Sequence, residues 1–203
     1  MHNDLKNIIE SILFVSEKPL TVATIKNTLD FAGAKEIREA LKTLTDEYNA
    51  RGGGFHLREI AGGWQMRSRP EYRQWIARMI QTNPRRLSKA ALETLSIVAW
   101  NEPIIRSEIE QIRGVDSGGV LRLLLERRLV RILGRRELPG RPLIYATTKF
   151  FLEMFDLNTI KDLPTIKEVE ALEKSEQPAQ ETFDVPASVS IEGNHSLPLL
   201  SDS

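Results

Sequence analysis

Apolar and polar positions follow one another along this chain in an order that occurs twice. The run Ile9-Glu10-Ser11-Ile12-Leu13-Phe14-Val15-Ser16 matches Leu92-Glu93-Thr94-Leu95-Ser96-Ile97-Val98-Ala99 in size and polarity, residue 9 falling on residue 92. With one residue more in the second copy, Pro19-Leu20 meets Pro103-Ile104, and Ile25 meets Ile109. A repeat constrains the architecture before any single element does, because each copy has to build the same unit.

Each copy opens with an amphipathic helix that stops before its proline, which cannot continue a helix and holds the preceding residue extended. A second helix is predicted over 21–29 and 106–112, and a third over 34–49 and 118–129. Two short strands follow in each copy. The first pair, 55–60 and 64–69, is joined at Ala61-Gly62-Gly63; the second, 130–134 and 143–147, is joined across Glu137-Leu138-Pro139-Gly140-Arg141-Pro142. Pro139-Gly140 suits the centre of a type II turn, since proline presets its own backbone angle and glycine accepts a positive φ. A closing helix ends each copy, over 71–81 and 149–156.

Three helices and a hairpin in roughly 80 residues make the winged form of the helix-turn-helix. The predicted fold is therefore α+β and mainly helical: two tandem winged-helix domains over 1–82 and 88–163, a linker over 83–87 that is polar and broken by Pro84, and Ser88 as the N-cap of the next helix. Beyond Pro164 the hydrophobic period decays, apart from a short helix over 166–174, and residues 164–203 read as a disordered acidic tail.

Composition removes whole classes of function. Cysteine is absent, which excludes disulfides, thiolate metal sites and a cysteine nucleophile. The three histidines, His2, His56 and His195, lie too far apart for a metal cage, so neither metal nor cofactor is expected. The N-terminus has no basic leader before an apolar run and no stretch approaches a membrane span, so a cytosolic protein is expected. The zero net charge hides a segregation: residues 1–163 hold 26 Lys and Arg against 20 Asp and Glu, while residues 164–203 hold 2 against 8. A surplus this mild is weak support for DNA binding, which concentrates cations on one face.

No motif for catalysis appears. Arg51-Gly52-Gly53-Gly54 lacks the Lys-Ser/Thr of a phosphate loop and reads as a connector. The third helix of the second copy carries Val120, Leu121, Leu123, Leu124, Leu125 and Leu129 over an arc wider than a surface stripe, with only Arg122 and Glu126 clearly polar. Such a helix is either central in its own domain or presents a second apolar face to a protein. Its counterpart in the first copy mixes Lys35, Glu36, Arg38, Glu39, Lys42, Asp46 and Glu47, the pattern of a solvated face. Arg131, Arg135, Arg136 and Arg141 gather on the second hairpin, where they could grip phosphates, bind carboxylates of a partner, or keep an edge strand from unwanted pairing. Trp100 and Tyr145 are core or interface aromatics.

Residues 91–99, then Pro103-Ile104-Ile105-Arg106-Ser107-Glu108-Ile109-Glu110, Ile112-Arg113-Gly114-Val115-Asp116-Ser117 and Pro139-Gly140-Arg141-Pro142-Leu143-Ile144-Tyr145 before Thr147-Thr148 resemble, in order, the bacterial segregation and condensation protein B family. The first copy resembles that family's N-terminal domain more loosely, and Ala146 stands where the family pattern leads one to expect glycine. The resemblance implies a non-enzymatic homodimer, held largely by its N-terminal domains, that binds the kleisin ScpA through its C-terminal domains. It would reach the SMC ATPase and DNA only through that complex. Partner contacts are then expected among Trp100, Arg106, Arg113, Leu121, Leu123, Leu125, Arg141 and Tyr145, and dimer contacts among Ile8, Ile12, Trp64 and Trp75. The alternative from the same fold and hairpin arginines is a winged-helix DNA-binding transcriptional regulator, whose affinity would fall steeply with salt; an enzyme comes third.

Overall fold

The computed structural model describes residues 2–80, 86–165 and 168–169. Most of the acidic tail, positions 81–85 and the last residue of the helix expected over 71–81 lie outside them. The first half runs α1 (His2–Val15), α2 (Val22–Thr28), α3 (Ala34–Arg51), β1 (Phe55–Ile60), β2 (Gly63–Ser68), a single 3-10 turn at Pro70–Tyr72 and α4 (Arg73–Ile80). The second runs α5 (Lys89–Asn101), β3 (Ile104–Ile105), α6 (Arg106–Arg113), α7 (Gly118–Glu126), β4 (Val130–Arg135), β5 (Leu143–Thr147), α8 (Lys149–Met154) and a 3-10 turn at Ile160–Asp162.

Local chemistry explains the boundaries. Thr21 and Ser88 each accept a backbone N–H of the helix they open, from Thr24 and Ala91, and Gly52 closes α3 in the left-handed region. Ala61 and Gly62 both take positive φ, 53° and 76°, so β1 and β2 meet through a two-residue turn and β2 starts one residue earlier than expected. Around Pro139, the Arg141 N–H donates to the Leu138 carbonyl at 2.8 Å and Gly140 has φ 82°, as the type II turn requires. The helix expected over 118–129 ends a turn sooner, at Glu126, because the chain leaves it to bury Leu129 and enter β4.

Buried apolar residues gather into two clusters. Leu5, Ile9 and Leu13 of α1 close over Ile25, Ile37, Leu41 and Leu44. Leu95 and Val98 of α5 close over Ile109, Leu121, Leu124, Leu129, Tyr145 and Phe151. Each such side chain withdrawn from water contributes roughly 1.5–3 kcal/mol. Leu87, assigned to the linker from its sequence, is buried in the second cluster. The repeat survives with one adjustment: buried Leu5, Ile9 and Leu13 come into line with Leu87, Ala91 and Leu95, one position earlier than the sequence match. Past the proline the copies agree. Leu20 bridges to Trp64 just as Ile104 pairs with Tyr145, putting the residue after each proline on the second hairpin strand. In the first half that approach admits only glycine at 63, where a β-carbon would lie 2.9 Å from the Pro19 carbonyl carbon.

The halves meet at the tip of the first hairpin. The Ala61 N–H donates to the Leu157 carbonyl (2.9 Å), the Gly62 N–H to Asn158 Oδ1 (2.8 Å), and Arg67 to the Glu153 carbonyl (3.0 Å), with Asp156 3.5 Å from the same guanidinium. Beside these contacts lies a cleft of about 460 Å³ lined by His56, Arg69, Arg73, Ile76, Met154 and Phe155, among others.

Candidate partner-binding surfaces

In the second half, the residues expected at a partner surface separate by burial. Leu121 and Tyr145 are buried in the core and offer no surface, and Leu123 and Leu125 are half-buried against the same cluster. Of the two readings of α7, the structure favours the central helix: it packs on α5 and β4, and its exposed strip is the Arg122–Glu126 pair, 3.1 Å apart.

Two of the expected arginines serve the fold. The Arg113 side chain is only 6% exposed and pairs with Glu93 at 3.2 Å while donating to Ser117 Oγ at 3.1 Å. Arg106 pairs with Glu110 at 2.6 Å and with Asp116. Glu110 in turn accepts the Ser117 N–H, and Asp116 the Gly118 N–H, so the network satisfies the first free N–H groups of α7. The Ser117 N–H, then Arg106, holds the Glu110 carboxyl below the usual carboxylate range. Glu108 is lowered by the Ile105 N–H and then by Arg136, 2.5 Å away. These arginines read from sequence as contacts because their carboxylate partners, ten or more positions away in several cases, come near only in the folded chain.

Trp100 is partly exposed, but its indole N–H already donates to the Pro164 carbonyl at 3.0 Å, anchoring the chain where the tail begins. Arg141 is exposed at φ 42°, and its carbonyl accepts a hydrogen bond from Arg135. The hairpin arginines are not joined in one cationic groove. Arg136 is held by Glu108, Arg131 donates to the Thr147 carbonyl at 3.0 Å, and Arg135 is turned onto Arg141.

In the first half, Ile12 and Trp64 pack partly against the core, whereas Ile8 stands at its margin and Trp75 lies outside it, 58% exposed with Arg78 over its ring at 5.0 Å. Around them are apolar residues that the sequence reading did not single out. Phe14 and Val15 end α1 in solvent, and Met79, 77% exposed, follows Trp75 by one turn of α4. None of the residues of α4 is buried, although Trp75, Ile76, Met79 and Ile80 give it an apolar side. Met79, four residues after Trp75, was legible in the helical period.

The cleft between the halves places His56 and Asp156 in one lining. Its imidazole, His56, is pushed down by burial and then by Arg58 and Arg69. Among the described residues there is no group of three His, Asp or Glu side chains placed to hold a metal ion, and no helix is long and apolar enough to cross a membrane.

Residues 7–166 match the sequence model of a family described as segregation and condensation complex subunit ScpB. The segregation and condensation protein B of Syntrophotalea carbinolica is 44% identical over 184 residues, covering 91% of this chain and 93% of that protein. The crystal structure of ScpB from Mycobacterium tuberculosis is similar at 29% identity with a TM-score of 0.38, over 76% of this chain and 96% of that one. A crystal structure of a dimer of a ScpB N-terminal domain complexed with an ScpA peptide is similar at 19% identity with a TM-score of 0.35, over 38% of this chain and 95% of that one.

Proposed function

Because this chain belongs to the segregation and condensation complex subunit ScpB family, we propose that it is a non-enzymatic accessory subunit of a bacterial SMC–kleisin complex. It binds the kleisin ScpA as a homodimer and acts in chromosome segregation and condensation, in the cytoplasm and on the nucleoid, touching DNA only through the complex. Each half is a winged-helix domain, the first over 1–82 for self-association, the second over 88–163 for the kleisin, with Leu87 added to the second core.

The observation that carries this reading is apolar surface left uncovered on α1 and α4 while the polar groups of α6 and α7 are spent on holding the fold. Small domains bury a modest share of their surface and gain from pairing. Ile8 and Trp75 belong to the self-association surface. Ile12 and Trp64 act behind it as support, Trp100 and Arg141 remain for the kleisin, and Leu123 and Leu125 support that face from beneath. Leu121, Tyr145, Arg106 and Arg113 drop out as direct contacts.

The competing reading, a DNA-binding regulator, is weakened by the carboxylates that hold Arg122 and Arg136 and by the mixed charges of α3. Light scattering on the chain alone and with ScpA tests the proposal. A dimer mass that rises to a stoichiometric complex is expected; a monomer that forms no complex at micromolar concentration overturns it.

A further inference from the structure

The second sheet is ordered β3-β5-β4, which leaves β4 as an edge, exposed from Arg131 to Arg135. Its hydrogen-bonding direction follows from one contact. The Thr148 N–H donates to the Leu129 carbonyl at 3.2 Å, and Val130 lies opposite Thr147. Inward and outward groups alternate along an antiparallel ladder. The N–H and C=O of Val130 and Ile132 therefore face outward, away from β5.

What flanks this edge limits what can add to it. Ile132 and Leu133 are 44% and 48% exposed, an apolar pair on a strand with free backbone groups. Arg131 and Arg135 donate only to carbonyls, of Thr147 and Arg141, and neither meets a carboxylate among the described residues. Their charge is uncompensated, unlike that of Arg106, Arg113, Arg122 and Arg136. A second copy of β4 laid on this edge would bring like charges together, which disfavours self-pairing. A strand bearing carboxylates at alternate positions meets the opposite situation. The uncovered Ile132 and Leu133 favour a polypeptide over a phosphate backbone.

We propose that β4 takes up an extended acidic segment of the kleisin by strand addition, with the backbone of Ile132 supplying the ladder and Arg131 and Arg135 selecting the partner by charge. This rests on the reading of the chain as a kleisin-binding subunit and assigns that binding an edge and a chemistry.

Ile132→Pro is the decisive variant. Because the Ile132 N–H takes no part in the β4–β5 ladder, proline is tolerated there as at other sheet edges, yet it removes the outward donor. Affinity of the full chain for ScpA is measured by calorimetry beside Arg131→Glu/Arg135→Glu. Each variant is expected to bind at least tenfold more weakly, with an unchanged circular dichroism spectrum. If Ile132→Pro fails to fold, hydrogen exchange of 130–135 in the unsubstituted chain decides: slowing on addition of ScpA supports the proposal, and unchanged exchange overturns it. Binding that survives both variants overturns this inference alone, whereas no binding by the unsubstituted chain overturns the function proposed above with it. Loss of duplex DNA binding in the Arg131→Glu/Arg135→Glu variant, with ScpA binding intact, assigns the arginines to phosphate and overturns the proposal.

Discussion

The Tyr48 hydroxyl donates to Glu10 Oε1 at 2.5 Å, tying the end of α3 to the middle of α1 across the rim of the first core. That bond to the carboxylate, and then the phenol's own burial, push it up to about 12 from an ordinary 10.0. The folded-state value is the higher one, so folding favours the protonated phenol. Its contribution is whole below pH 10 and is lost as the pH rises towards 12. Melting temperatures of the native chain and of Tyr48→Phe between pH 9 and 12 test this. The native chain is expected to be the more stable at pH 9, and the gap to close by pH 12.

Adjacent glycines at the start of α7 predict outcomes of different size. At Gly118 a β-carbon would lie 2.8 Å from Arg106 Nη1, so alanine displaces the guanidinium that holds Glu110 and Asp116; at Gly119 nothing lies within 4 Å. Gly119→Ala is expected to stabilise by about 0.5–1 kcal/mol through helix propensity and a less flexible unfolded chain, and Gly118→Ala to gain less, because the Arg106 guanidinium has to give way. Urea denaturation of the two variants compares the gains, and an equal or larger gain at Gly118 would show that the guanidinium moves at no cost.

Much of the architecture was legible because its signals are local. Strands 55–60 and 143–147 match to the residue, bounded by Gly62 and Pro142-type turn chemistry, and Ser88 caps α5 as its hydroxyl allows. The surfaces were far less legible. In a helix as short as α7, apolar periodicity reports that residues are apolar and does not say whether the covering layer is the chain's own β4 and α5 or another protein. Phe14, Val15 and Met79 carry the same signal as core residues and differ only in standing exposed. Each hydrogen bond across the join between the halves uses a backbone group, of Ala61, Gly62, Leu157 or Glu153, and those groups leave no trace in residue type.

That join is polar and partly open to solvent, with the Arg67 and Asp156 side chains 34% and 49% exposed, and the two apolar clusters share no residue. Contacts of this kind contribute roughly 0.5–1.5 kcal/mol each. Arg67→Ala with Asn158→Ala is therefore expected to free the halves without melting either core. The chain has no cysteine, so spin labels at Lys35→Cys and Arg122→Cys, both well exposed, report the separation cleanly. A narrow distance distribution should broaden in the double variant. An equally narrow one would mean that other contacts fix the angle.

Helix α4 carries the last prediction. It is eight residues long, too short to persist in water on its own helix propensity, and none of its residues is buried by the described chain. Its apolar side, Trp75 and Met79 one turn apart with Ile80 beside them, is the kind of aromatic-centred patch that supplies most of the binding energy at protein interfaces. If a second copy covers it, Trp75→Glu or Met79→Glu places an unpaired carboxylate in the contact and is expected to weaken dimerisation at least tenfold. Because both side chains are exposed in the single chain, the stability of the monomer should change by no more than about 0.5 kcal/mol. Sedimentation equilibrium across a concentration series gives the dimer constant, and chemical denaturation of the same samples gives the stability. A dimer constant that ignores both substitutions would move the self-association surface to Phe14 and Val15 at the end of α1, where Phe14→Glu then becomes the variant that has to dissociate it.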